Sequence, residues 1–168
     1  MIPPDKKLAA VCGLFCPGCI IYIGAHSTPE VRDELERRRG YAPGTMRCEG
    51  CRSDHRYSYC NSCKLYACAA NKGIDFCGTC PDFPCADFKE FQSARPHRLE
   101  LYPAQKRIRE TGYETWFKEM EAYYACPQCG TLNSAYHPAC RNCGATPSCH
   151  YVKDHQDEIQ AYQSKITK

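Results

Sequence analysis

Six Cys-x-x-Cys pairs, at 16/19, 48/51, 60/63, 77/80, 126/129 and 140/143, limit what this chain can fold into more than any other feature. A two-residue gap lets both sulfurs of a pair grip one tetrahedral ion. Three pairs, CEGC, CNSC and CGTC, crowd into residues 48–85, and Cys12, Cys68, Cys85 and Cys149 stand singly. The hydrophobic fraction of 43% counts sixteen cysteines and twelve tyrosines, so branched aliphatic residues are scarce. A chain short of such residues needs staples. The expectation is that bound metal replaces much of the usual hydrophobic core.

Sixteen thiols could also make disulfides, but the compartment argues for metal. The opening MIPPDKKLAAVCGLF has early prolyl and acidic residues and no uninterrupted apolar run, so it does not read as a signal peptide. A cytoplasmic location is therefore expected. The apolar run from Ile20 to Ala25 is far short of the roughly twenty residues that span a bilayer, so no membrane association is expected. The formal charge of +3 counts every cysteine as neutral. A four-thiolate zinc site carries a net charge of about −2, and three of them reverse the sign, which weakens the case for a polyanionic partner.

The fold class expected is a small, irregular, α-rich, metal-stapled domain followed by a zinc ribbon and a short C-terminal helix. The divisions fall at residues 1–125, 126–146 and 147–168. Pro17 suits the first position of a helix capped by Cys16, with IIYIGA as its body. Ser27 or Thr28 caps a charged helix in which Asp33 with Arg37 and Glu34 with Arg38 stand four apart, acid first. Its apolar face is only Val31 and Leu35, and the run Arg37, Arg38, Arg39 reads as a solvated face. Further helices are expected over residues 61–72, stopped by Gly73, and over 84–91. Pro96 and Pro103 are expected to break the next segment. GYETWFKEMEAYY then forms an amphipathic helix whose Trp116, Met120 and Tyr123 or Tyr124 recur at helical spacing and read as core. In the tail, Ile159, Tyr162 and Ile166 share one helical face.

CPQCGTLNSAYHPACRNCG places two CxxCG knuckles ten residues apart, the pattern of a zinc ribbon with Cys126, Cys129, Cys140 and Cys143 as ligands. Among the other cysteines, nearest-in-sequence grouping gives Cys48, Cys51, Cys60 and Cys63 as one site and Cys68, Cys77, Cys80 and Cys85 as a second. Cys12, Cys16 and Cys19 remain without a fourth sulfur nearby, and His26, His55 and Cys149 are the candidates for the fourth ligand. Interleaved sharing, for example 16/19 with 60/63, is equally open. Three to four zinc ions are expected. Cys12-x3-Cys16-x2-Cys19 is also the cluster-binding spacing of radical S-adenosylmethionine enzymes, and four thiolates suit iron–sulfur clusters as well as zinc. The repeated strand and helix units of a barrel that would carry such chemistry are not evident.

Through CGLFCPGC, CEGC, CNSC and CGTCPDFPC, continuing into GYETWFKEM before CPQCG, the chain resembles a bacterial and archaeal cysteine-rich family of unknown function, DUF3795. The resemblance covers residues 8 to about 91 and the helix before the ribbon. It implies a zinc-binding fold and supplies no reaction, substrate or catalytic residue.

Three functions compete. One is a non-enzymatic zinc-stabilised module that presents a surface to an unknown partner, a protein rather than a nucleic acid; no GxSxG, HExxH or Gly-rich phosphate loop is present. The second is an iron–sulfur or open-site metal enzyme centred on Cys12, Cys16 and Cys19. The third is nucleic-acid binding through the ribbon, near Tyr136, His137 and Arg141.

Overall fold

The computed structural model describes residues 2–38, 40–93 and 95–166. Arg39, the last arginine of the charged run, lies outside them, as does the side chain of Ile166. Among the described residues every regular element is helical, and extended pairing is confined to two isolated antiparallel bridges, Ala9 with Phe15 and Ala125 with Leu132. None of these helices is long and apolar enough to cross a membrane.

The first helix begins later than its proline suggests. Pro17 lies in a 3-10 turn, Cys16–Gly18, and α1 (Ile20–Ala25) starts afresh after Cys19, whose extended backbone (φ −80°, ψ 131°) breaks the run. Cys16 is thus no helix cap. It is the first residue of the turn that closes the CPGC pair, with the Cys19 N–H on the Cys16 carbonyl at 2.9 Å. Helix α2 (Pro29–Arg38) forms where the capping residues place it. Its charge pairing differs in detail: Glu34 receives both Arg37 (2.7 and 2.8 Å) and Arg38 (2.6 Å), whereas Asp33 lies near Arg32 at 3.5 Å. The carboxylate of Glu36, on the same helix, is buried. It accepts the N–H groups of Gly44 (2.7 Å) and Met46 (2.5 Å), which ties the following loop back to α2.

The helix expected from residue 61 is split into α3 (Ser58–Asn61) and α4 (Lys64–Lys72), the latter ending on Gly73 in the left-handed conformation (φ 63°). After α5 (Ala86–Ser93), Pro103 does not break the chain. It occupies the first turn of α6 (Leu101–Thr111), where the backbone N–H has no acceptor within the helix and its loss costs nothing. Then come α7 (Tyr113–Tyr124), as its periodicity requires, and the tail helices α8 (His150–Asp154) and α9 (Gln156–Ile166).

These helices enclose a real core, contrary to the expectation that metal stands in for one. Aromatic residues fill it in place of the missing aliphatics. Phe15 meets Trp116, Phe117 and Tyr124 with ring centroids 6.2, 5.0 and 5.7 Å apart, and Tyr124 stacks on Tyr151 at 4.8 Å. Trp116, Phe117 and Phe88 are fully buried. Full burial of such side chains stabilises by about 1.5–3 kcal/mol each, so few are needed. The tail docks on this core through Tyr151, whose hydroxyl donates to the Pro96 carbonyl (2.6 Å). His155 does the same at a Glu100 carboxylate oxygen (2.8 Å) that also accepts the hydroxyl of Tyr123 on α7 (2.9 Å).

Candidate metal centre

Helix α7 ends at Tyr124 and delivers the chain directly into CPQCG. Two loops of the same construction follow. In the first, the Gly130 N–H bonds the Cys126 carbonyl and the Cys126 N–H bonds the Thr131 carbonyl, both at 2.9 Å. In the second, Gly144 bonds Cys140 (2.9 Å) and Cys140 bonds Ala145 (2.8 Å) in the same sense. Each loop turns its two sulfurs to one side, and the two loops face one another. The Cys126 and Cys143 sulfurs are 3.7 Å apart and those of Cys129 and Cys140 are 3.6 Å apart, with all four within 4.8 Å of one another. Four thiolates at about 2.3 Å from a tetrahedral ion would stand about 3.8 Å apart, so the donor set fits a single ion with no open position.

The protein already favours negative charge here. Hydrogen bonds from the hydroxyl and backbone of Thr131 and from the Asn142 side chain hold the Cys129 thiol down at about 5. Cys143 moves the other way, to about 12: the Ala145 N–H pulls it down, but its close approach to the sulfurs of Cys129, Cys126 and Cys140 outweighs this. Without a cation the four sulfurs cannot all ionise together. A bound cation removes that conflict.

Asn133, which spacing rules do not reveal, holds the two loops in register. Its amide donates to the carbonyls of Thr131 (2.9 Å) and Ser148 (3.1 Å) and lies 3.6 Å from the Cys140 sulfur, while its oxygen accepts the Arg141 N–H (3.0 Å). The residues beside the ribbon that a nucleic acid would meet are engaged within the chain. Tyr136 bonds His97 (2.7 Å), the His137 ring receives the Ser134 N–H (3.2 Å), and Arg141 donates to the Leu132 carbonyl (2.9 Å). The strands of a ribbon hairpin are reduced to the single Ala125–Leu132 bridge.

The other predicted ligands are arranged differently. None of the sixteen cysteines is joined in a disulfide. Cys12 and Cys16 are buried, Cys19, Cys48, Cys51, Cys60, Cys63, Cys77, Cys80 and Cys85 are half-buried, and Cys68 is exposed. Among the described residues, the C-terminal four are the only group of three or more potential ligands drawn within 4.8 Å of one another. The remaining eleven sulfurs nevertheless share one region. Burial pushes the Cys12 thiol well up, and Cys51, Cys63 and Cys77 add to the shift; for Cys16 the added sulfurs are Cys51, Cys19 and Cys48. Cys60 is pushed up to about 12 by burial and then by Cys19, Cys48, Cys51 and Cys63. Cys77 reaches about 12 by burial and then by Cys85, Cys68, Cys63 and Cys80.

The loops that carry these sulfurs are fixed by close backbone approach. In CEGC, a side chain on Gly50 (φ 110°) would put its Cβ 2.5 Å from the Lys7 carbonyl oxygen. In CGTC, a Cβ on Gly78 would lie 2.8 Å from the Gln105 side-chain oxygen. Gln105, fully buried on α6, accepts the Gly78 N–H (2.6 Å) and donates to the Val11 carbonyl (3.0 Å). It therefore clamps the segment leading into the first cysteine loop to the fourth, CGTC. Of the residues considered for completing the Cys12, Cys16 and Cys19 trio, His26 stacks on Tyr22 (4.1 Å), and Cys149 is buried beside Ser148 (3.7 Å).

Residues 8–90 match the model of a family described as a protein of unknown function (DUF3795). They belong to that family. The DUF3795 segment contains eleven of the cysteines, while the C-terminal four-cysteine cluster and helices α6 to α9 lie beyond it. No curated protein and no solved structure matches the chain.

Proposed function

We propose that this protein is a zinc-binding module whose metal is structural and whose folded surface serves a partner protein. The observation that carries the reading is the C-terminal set of four sulfurs, 3.6 to 3.7 Å apart across two matched loops. Zinc is the ion favoured by four thiolates in tetrahedral array, and a site with four protein ligands leaves no position for a substrate or a reactive water. The place of the site in the chain supports a structural role. It lies between α7, which carries Trp116 and Phe117, and the tail that brings Tyr151 and Val152 back into the same core.

A protein partner is preferred to a nucleic acid because Tyr136, His137 and Arg141 spend their polar groups inside the chain. The thiolates also lower the net charge. The test is metal analysis of full-length protein purified without oxygen, followed by stepwise chelation. Colourless protein with at least one tightly held zinc, whose removal unfolds residues 126–149, supports the reading. Iron with acid-labile sulfide, or a fold indifferent to zinc removal, would refute it.

A further inference from the structure

The C-terminal cluster brings its sulfurs together across the two loops. Cys126 stands 3.7 Å from Cys143 and Cys129 stands 3.6 Å from Cys140. Each of these pairs joins a buried sulfur to an exposed one: Cys126 and Cys140 are buried, Cys143 and Cys129 exposed. A disulfide holds its sulfurs about 2.05 Å apart, so closure asks each pair to approach by roughly 1.6 Å, which side-chain rotation shared between two cysteines covers. The frame around the sulfurs is set by other groups. Asn133 ties together the backbones of Thr131, Ser148 and Arg141, and each loop closes through its own N–H to carbonyl bonds.

The two pairs nest, since residues 129 and 140 fall within the span from 126 to 143, and Asn133 lies inside both. Links so placed tie one loop to the other, as a shared ion does. Links within each Cys-x-x-Cys unit would leave the loops unjoined. The difference in exposure gives the members of a pair different work. The exposed sulfur meets an oxidant from solution, and the buried sulfur beside it is sheltered from that oxidant yet close enough to displace what the oxidant leaves behind.

We propose that these four cysteines are a reversible oxidation site for hydroperoxides, at which two cross-loop disulfides, Cys126 to Cys143 and Cys129 to Cys140, take the place of the zinc ion. The Cys129 sulfur attacks one peroxide oxygen. The S–O bond forms, the O–O bond breaks, and the other oxygen takes a proton from solvent and leaves as water or alcohol. The Cys140 sulfur then attacks the Cys129 sulfur: the S–S bond forms, the S–O bond breaks, and the hydroxyl leaves as water with a second proton. Cys143 and Cys126 repeat the sequence with a second hydroperoxide. Each link passes two electrons from sulfur to oxygen, and the ion departs as its thiolate donors are consumed. The attack is on sulfur and needs no open position on the ion, which slows it without preventing it because Cys129 and Cys143 face solvent. The inference rests on the reading of this cluster as a zinc site and adds a chemistry to that site.

The test uses full-length, zinc-loaded protein prepared without oxygen and then treated with a small molar excess of hydrogen peroxide. A colorimetric chelator follows zinc release, and mass spectrometry maps residues 126–143 after the remaining thiols are alkylated. Both cross-loop links are expected, in step with loss of about one ion per chain, and a thiol reductant with added zinc should reverse both changes. On protein stripped of zinc beforehand the same links should form about tenfold faster or more. In Cys140→Ser, a 1,3-dione probe should capture sulfenic acid at Cys129, and the unsubstituted map decides the matter even if that variant does not fold. Links within 126/129 and 140/143, or sulfinic acid at Cys129 with no link, would overturn the pairing. Thiols that stay reduced in both samples would overturn the inference and leave the structural zinc reading standing. Cross-loop links in protein that held no zinc at the start would refute the proposed function and the exchange with zinc, leaving the oxidation site.

Discussion

The C-terminal four cysteines and the eleven of the DUF3795 segment use the same Cys-x-x-Cys unit in opposite ways. At the C-terminus the loops are self-sufficient: each makes its own backbone bonds, and two of the four sulfurs, Cys129 and Cys143, face solvent. In the family segment all the sulfurs but that of Cys68 are buried or half-buried, Cys12 and Cys16 within the aromatic core, and their loops depend on distant residues such as Gln105 for position. The difference teaches that a metal site written in local spacing can preassemble, whereas one written across the fold requires the core to be in place first.

The largest effect that could break this contrast lies in the core. Trp116→Ala should cost about 3–5 kcal/mol in chemical denaturation of the metal-loaded protein. It should also weaken metal retention in the family segment far more than at the C-terminal cluster. A loss below about 1 kcal/mol would mean that metal, not the aromatic cluster, carries the fold.

Gln105→Ala comes next. Removing the clamp leaves the Gly78 N–H buried without its partner, at about 1–3 kcal/mol read from thermal melts, while the Val11 carbonyl keeps the Cys77 N–H (2.8 Å). Here too the family segment should release zinc sooner while the C-terminal site is unchanged. Asn133→Ala is the mirror experiment, with a similar cost of about 1–3 kcal/mol. Zinc transfer to a colorimetric chelator should then accelerate only for the C-terminal ion.

The smallest effect sharpens the view of the loop leading to Cys48. Two backbone N–H groups, Met46 first and then Gly44, hold the Glu36 carboxyl below its usual range. Its contribution is therefore present above the ordinary value of 4.5 and fades as pH falls through the lower folded value. Glu36→Gln should melt below the parent protein at neutral pH, with the gap narrowing in acid. A gap independent of pH would show that shape, not charge, matters at this position.

Much of the C-terminal site was legible because its rules are local. The CxxCG repeat, the ten-residue spacing and the periodicity of residues 113–124 each refer to neighbours in the chain. The aromatic core was not legible in that way. Counting aliphatics suggested a shortage, but Phe15, Trp116, Tyr124 and Tyr151 become one cluster only when separate segments meet. Asn133, Gln105 and Glu36 were missed for the same reason, since a single polar residue acquires its role from distant backbone groups. Pro103 misled because a proline reads as a breaker until the helix start is known to fall two residues before it.

The central claim is tested most directly at the two exposed thiols. Cys129 and Cys143 lie open to solvent, and free thiols so placed, one of them readily ionised, should alkylate quickly. Mass-spectrometric mapping of alkylation in native, oxygen-free protein should find both protected, with reaction rates rising roughly tenfold or more once zinc is chelated. Rapid modification of both before any chelator is added, with the zinc content unchanged, would contradict the account.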